Sequence, residues 1–294
     1  MLVATTTAFA DEVATAISRS ASYPEGPLLV GDQIYYTEMG NDRVMRSDGH
    51  GAPAIVWTRG GCGPTSLARA ADGLWVLCHR QNRLVRISEA GETLAVVDRD
   101  DEGRPLYNPN ASINDRRGGF YFSSSGLFSP DASATGAVLY LSAEGTLTRV
   151  ADGIHYANGV ALSPDGQVLY VSEHLERRVL AFDVSADGSL GGRRVHLVLD
   201  DLVGKDAERG WWVGPDGLAV DRAGDLVVAE YGAGHLLIVS KDGSLKATVP
   251  VPERFVTAGV FSADERRLFV TAPDALSPND RGAVYAMPNP LALP

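Results

Sequence analysis

Four oxygen-bearing side chains, Glu25, Asn110, Asn158 and Asp216, stand at one equivalent position of a repeated phrase in this 294-residue sequence. Two carboxylates and two amides, with no His, Cys or Met among them, suit a hard divalent cation, Ca2+ foremost with Mg2+ or Mn2+ as alternatives, whereas Zn2+ normally recruits imidazole or thiolate. Ca2+ takes six to eight ligands, so four protein oxygens predict an open site with room for water and a small-molecule substrate. Each residue alone reads as an ordinary turn residue before a strand. Their coincidence at one repeat position is what argues for a shared site.

The phrase is clearest in Asn158-Gly-Val-Ala-Leu-Ser-Pro-Asp-Gly, followed by Val168-Leu-Tyr-Val-Ser-Glu173 and Arg178-Val-Leu-Ala-Phe-Asp183. It recurs as Asp216-Gly-Leu-Ala-Val-Asp221, Leu226-Val-Val-Ala-Glu230 and His235-Leu-Leu-Ile-Val-Ser240. Aligning the remaining turns adds Glu25, Thr65, Asn110 and Thr257, so six copies follow one another at roughly 40 to 60 residues, the length of a four-stranded propeller blade. Short apolar runs punctuated by Gly turns, with almost no helical period, complete the prediction of an all-β, six-bladed β-propeller.

The last copy lacks a strand after Tyr285, and residues 13 to 20 form a strand with no blade of their own. That segment is expected to complete the sixth blade and close the ring, removing an open edge. The chain therefore reads as an N-terminal extension over residues 1–12 and one propeller domain over residues 13–294. The innermost strands converge on the axis, which brings the six aligned positions to one channel mouth. Thr65 and Thr257 are weak ligands, and are expected to border the substrate instead. Loops on the same face add His155, Trp211, Trp212 and Tyr231 as candidate substrate-binding residues, with His79 behind them; for each, surface or packing duty is the plain alternative.

Net charge is −11, with basic residues scattered rather than striped, which disfavours nucleic acid and anionic lipid as partners. No apolar run approaches the length of a membrane helix. The two cysteines, Cys62 and Cys78, are expected as free or buried thiols, with a single bridge as the alternative for an exported chain. Ala8-Phe9-Ala10 before Asp11 looks like the tail of a secretory signal without its basic start, so a cytoplasmic location is expected and periplasmic export is the alternative. The protein is expected to be a monomer or a weak homo-oligomer.

Pro24-Glu25-Gly26-Pro27, Pro109-Asn110 with Asp115 and Gly119-Phe-Tyr-Phe-Ser, Asn158-Gly-Val-Ala-Leu-Ser-Pro-Asp-Gly and Gly214-Pro-Asp216-Gly-Leu-Ala-Val-Asp resemble the signatures of the SMP-30/gluconolactonase/luciferin-regenerating-enzyme family. The likeness runs from about residue 20 to residue 287 and is nearest the drug-responsive lactonase branch. It implies a six-bladed propeller with one catalytic divalent metal that hydrolyses lactones or, in some members, organophosphate esters. Carried onto this sequence, it makes Glu25, Asn158 and Asp216 core metal ligands and Asn110 a fourth. Two positions depart from the family: Ala111 stands where many members carry Asp, and Asn108 where sugar-lactonase members often carry Arg.

Lactone hydrolysis needs a polarised carbonyl, a delivered water and a protonated leaving alkoxide. A cation can polarise the carbonyl and stabilise the oxyanion, Asp216 is expected to take the water proton, and Glu25 to hold the metal. Direct attack by Asp216 is the alternative. Two readings compete with the hydrolase: a propeller that only binds partners, and a metal-free biosynthetic isomerase or condensing enzyme on the same fold. Neither has need of two carboxylates and two amides on the axis.

Overall fold

The structure, a computed structural model, describes residues 14–205, 209–277 and 280–292. The expected extension over residues 1–12, and Val13, lie outside the described residues. Apolar residues alternate along short strands, and the strands hydrogen-bond into six four-stranded antiparallel sheets, in chain order save that the first strand joins the last sheet. The innermost strands are Pro24–Val30, Pro64–Ala70, Pro109–Asn114, Ala157–Leu162, Gly214–Val220 and Ala258–Phe261. These are blades 1 to 6 of a β-propeller.

The central strands of each blade bury both faces, because a blade is sandwiched between two others. Phe120 and Phe122 pack with Leu77 and Leu84 of blade 2, whereas Tyr121 between them packs with Val160 and Val171 of blade 4. All of Phe120–Ser124 is consequently buried, which is why such strands read as unbroken apolar runs. Comparable clusters fill the other four junctions, including that between blades 6 and 1, where Ala21 and Val284 meet Ile34 and Tyr36. A fully buried side chain of this size contributes about 1.5–3 kcal/mol.

Ring closure follows the expectation. Thr15–Ser22 pairs antiparallel with Arg281–Pro288, from Thr15 opposite Ala286 to Ser22 opposite Arg281, and supplies the outer strand of blade 6. The cysteines depart from theirs. Pairing of Pro64 with Cys78 carries Cys62 against Cys78, and the two form a disulfide with a Cα–Cα distance of 4.6 Å instead of remaining free thiols. Among the described residues no helix is long and apolar enough to cross a membrane.

Candidate active site

Each blade delivers its axial residue by the same local device. Glu25, Thr65, Asn110 and Asn158 are the second residues of their inner strands, Asp216 the third, and Thr257 immediately precedes its strand. Directly beyond the first five, the pairing register slips: between Glu25 and Leu28, Pro64 and Ser66, Pro109 and Ser112, Ala157 and Val160, Pro215 and Leu218. A bulge there releases the side chain from the ladder and re-aims it. These five residues form a waist between a chamber of about 200 Å³ on one face and a channel of about 220 Å³ from the other. Thr257 borders only the channel.

The glycines that follow the ligand-type residues serve close approach. A Cβ on Gly159 would lie 2.1 Å from the Asp216 carbonyl oxygen, and one on Gly217 2.6 Å from that of Thr257. Neighbouring inner strands can therefore crowd together at the axis only if Asn158 and Asp216 are each followed by glycine. Backbone carbonyls at the same level are held by side chains of neighbouring strands and loops. Thr257 Oγ1 donates to Pro24 O at 3.0 Å, Thr65 Oγ1 to Asn110 O at 2.8 Å, and Ser172 Oγ to Asp216 O at 2.7 Å. The Thr65 and Thr257 hydroxyls, expected at the substrate, thus hold backbone.

Electrostatically the axis is poorly compensated. Burial pushes the carboxyls of Glu25 and Asp216 well above the usual carboxylate range, and the Asp216 charge raises Glu25 further. Opposing this are hydrogen bonds to Glu25 from the Gly26 amide and the Thr257 hydroxyl, and one to Asp216 from Asn158. Both amide side chains turn their NH2 groups onto protein: Asn110 Nδ2 donates to Ser125 Oγ at 3.0 Å, and Asn158 to Asp216. The Asn158 Oδ1 is buried with no hydrogen-bond partner.

The chamber walls only partly match the residues expected to line it. Tyr231 and His79 line it, and so do Tyr23, Phe128, Tyr156 and His174. His155 and Trp211 instead border an adjoining groove, with Trp211 stacked on Phe128 at 4.9 Å between ring centroids. The Trp212 ring lies behind the chamber against the cluster of Tyr23, Tyr231 and Phe255, and its carbonyl faces His174 Nε2 at 2.9 Å. Burial pushes His79 and His174 down to about 4, although His174 has carbonyl oxygens facing both ring nitrogens and a neutral ring can donate to only one of them. Their Nδ1 atoms face Pro109 O at 3.2 Å and Pro215 O at 3.1 Å, the carbonyls just before Asn110 and Asp216. Burial also raises the Tyr23, Tyr156 and Tyr231 phenols.

Tyr23 and Tyr156 share a signal that sequence reasoning passed over, for each lies two residues before an axial residue. Tyr23, Gly63, Asn108 and Tyr156 occupy that place in blades 1 to 4, all with left-handed backbone at φ between 48° and 63°. Non-glycine residues rarely adopt this conformation. Asn108 uses its Nδ2 to donate to Gly126 O at 3.0 Å, outside the chamber lining.

The model of the SMP-30/Gluconolactonase/LRE-like region matches residues 23–273. This chain belongs to that family. Among curated relatives of this SMP-30/gluconolactonase/LRE-like protein are two proteins named lactonase drp35. The one from Staphylococcus haemolyticus is 32% identical over 143 residues, 48% of this chain and 41% of the relative. The one from Staphylococcus aureus is 31% identical over 199 residues, 65% and 57% respectively. The matched segments thus span only about half of those relatives. Solved structures include a gluconolactonase from Xanthomonas campestris, 26% identical, covering 94% of this chain and 89% of that one with a TM-score of 0.74. A calcium-binding regucalcin from Agrobacterium tumefaciens, 19% identical with a TM-score of 0.76 and covering 94% and 93%, shares the fold.

Among the described residues no three His, Cys, Asp or Glu side chains gather as a metal site. The axial donor set is a different one, two carboxylates and two amide oxygens. Two buried like charges with little hydrogen bonding, beside an amide oxygen without a donor, form a cradle suited to a hard cation.

Proposed function

We propose that this protein is a divalent-metal-dependent hydrolase that opens lactones in the axial chamber. The observation that carries the reading is the uncompensated pair Glu25 and Asp216 beside the orphaned Asn158 oxygen. Glu25, Asn110, Asn158 and Asp216 would hold the cation, with Ca2+ as the ion best matched to four oxygen donors. When bound, that ion supplies Lewis-acid polarisation of a carbonyl and stabilisation of a developing oxyanion. The lactonase and gluconolactonase names among the relatives support the substrate class.

The chain's own groups perform the remaining work. Of the two axial carboxylates, Asp216 is the one we assign to accept a proton from water. The same proton, held at the Asp216 carboxyl, is then available to the leaving alkoxide. Asn158 donates to Asp216 and fixes its orientation, and Ser172 holds its carbonyl. Glu25, the other axial carboxylate, holds the ion and takes no proton from water in this scheme. The Tyr23 and Tyr231 hydroxyls, 2.7 Å apart, close one wall against water.

Chelation tests the reading. The protein is stripped with EDTA and assayed on a lactone panel with a pH indicator, then reassayed with Ca2+, Zn2+, Mn2+ or Mg2+. Loss and restoration of turnover are expected. Unchanged activity after verified metal removal defeats the metal assignment, and inertness toward every lactone with any of the ions defeats the lactonase assignment. The buried Cys62–Cys78 disulfide supports the exported alternative, since such bridges persist in oxidising compartments.

A further inference from the structure

The chamber wall has few polar groups to offer a substrate beyond the axial oxygens. Tyr23 and Tyr231 bond one another, Tyr156 bonds Ser125, and both nitrogens of His174 face backbone carbonyls. The Thr65 hydroxyl donates to the Asn110 carbonyl. Among the described residues, the lining holds no charged side chain apart from Glu25 and Asp216, and no Gln. Beyond the axial oxygens a polyhydroxylated ring would find few partners, such as His79 Nε2 and the phenol proton left over by the Tyr23–Tyr231 bond, and each buried hydroxyl without a partner is costly.

Outside the chamber the pattern is the reverse of a normal surface. Exposed large apolar side chains fall into two groups. Ile55, Leu94, Val96, Val195 and Leu245 sit on the outermost strands, where single exposed residues are ordinary. The others lie in loops, and Phe128, Leu276 and Trp211 among them gather at the chamber mouth, 40%, 46% and 47% exposed. Phe128 lines the chamber and stacks on Trp211, which borders the adjoining groove of about 620 Å³. An apolar rim of Phe128, Leu276 and Trp211 therefore stands at the chamber mouth, and beyond Trp211 the groove is lined by Glu176, Arg177, Asp200, Lys205 and Arg209.

Resting on the lactonase reading, we infer that the substrate is a lactone carrying a short apolar chain. Its ring occupies the chamber of about 200 Å³, and its chain leaves across Phe128 and Leu276 to lie on Trp211. Any substituent on a ring at the axis has to cross this rim, where Phe128, Leu276 and Trp211 offer it apolar contact and the charged groove beyond does not. The phenylalanine and tryptophan are specificity residues and take no part in bond breaking.

The test is a series of γ-lactones with alkyl chains from methyl to decyl, together with glucono-1,5-lactone, assayed on the metal-loaded protein. The expected kcat/KM rises about two- to fourfold per methylene over the first several carbons, then levels off. In Phe128→Ala and Trp211→Ala the slope flattens, through KM, while the difference between these variants and wild type shrinks toward the methyl compound. Turnover without chain-length dependence, or preference for the sugar lactone, overturns this inference and leaves the hydrolase standing. If no lactone reacts, the hydrolase reading fails, and tryptophan fluorescence titrated with the same series decides the subsite. Affinity growing with chain length and lost in Trp211→Ala keeps it, and a flat response removes it. Binding to phosphatidylcholine vesicles that Trp211→Ala abolishes, with no chain-length effect, reassigns the patch to a lipid surface and overturns the proposal.

Discussion

Buried glutamates at the outer ends of second strands and the buried carboxylates on the axis meet opposite surroundings. Glu230 is fully buried, yet its Oε1 accepts from Arg177 at 3.0 Å and its Oε2 faces His235 Nε2 at 2.6 Å. Burial alone would raise its carboxyl, but His235 and Arg177 outweigh that and hold it below the usual range. Glu38 and Glu173 occupy the same place in blades 1 and 4 and pair with Arg43 and Arg178. Glu25 and Asp216, as deeply placed, have no basic partner and titrate high. Desolvation is common to both groups, so the difference lies in whether the protein supplies the counter-charge. Where it does, the carboxylate is architectural; where it does not, the site is incomplete without something from solution.

The sharpest way to break this contrast is to neutralise one member of each group. Asp216→Asn is expected to lower kcat/KM at least about 1,000-fold, the upper range for removing a base that is also a ligand. At the same time the metal-free variant gains stability, by about 2 °C or more in Tm, because a buried like-charge repulsion is gone. Glu230→Gln moves the other way: it leaves Arg177 and His235 short of their shared acceptor and costs about 3 kcal/mol. Calorimetry of both variants after EDTA treatment measures the signs. A fall in both would show that the axial pair is as well compensated as the outer one.

The Glu230 effect carries its own pH signature. A carboxyl held below its ordinary value stabilises the fold fully above about pH 4.3, and that contribution fades as pH falls through the folded-state value. The Tm difference between wild type and Glu230→Gln is therefore expected to be largest near neutrality and to shrink below about pH 4. A difference that grows on acidification contradicts the pairing.

Blade 2 sharpens the comparison from another side, because Cys78 stands where blades 1, 4 and 5 have glutamate. Cys78 pairs with Arg83 in the ladder as Glu38 does with Arg43, but its covalent partner is Cys62. The bridge fastens the loop that leads into Thr65 on one side and His79 on the other. Cys62→Ala/Cys78→Ala is expected to cost about 2 kcal/mol, the low end for a loop of this separation, since small apolar residues suit the buried site. Mass spectrometry after alkylation, with and without reductant, checks that the bridge forms in the purified protein.

The axial set was legible because propeller symmetry turns a sequence repeat into a spatial ring: aligning turn glycines suffices to bring Glu25, Asn110, Asn158 and Asp216 together. The strand that closes the ring was legible for the same reason, as the remainder of a periodic pattern. What a repeat cannot show is anything that differs from blade to blade. Phe128 sits in the long connection between Ser124 and Gly136, and His174 in a single helical turn after Glu173, so neither has a counterpart to align with. Nor can a repeat show why Gly159 and Gly217 must be glycine, since that demand arises from a neighbouring strand. The disulfide was left open because strand register, not spacing along the chain, decides whether two cysteines meet.

The smallest expected effect probes whether backbone carbonyls at the axis need their side-chain partners. Thr257 Oγ1 lies 3.0 Å from Pro24 O, 3.0 Å from Thr271 O and 2.9 Å from Thr271 Oγ1, and also bonds Glu25. One hydroxyl proton can serve only one acceptor at a time, so the carboxylate and the carbonyls compete for it. Thr257→Val keeps the shape and removes the proton, at an expected cost of about 1 kcal/mol and a few-fold weaker binding of the cation. Thr257→Ser is expected to restore both. Isothermal titration with Ca2+ beside thermal unfolding separates the two consequences: weaker binding at unchanged Tm assigns the hydroxyl to Glu25, and a lower Tm at unchanged affinity assigns it to the backbone. If valine changes neither, the axial carboxylate is held by the cation alone, and the contrast with the fully partnered Glu230 becomes wider.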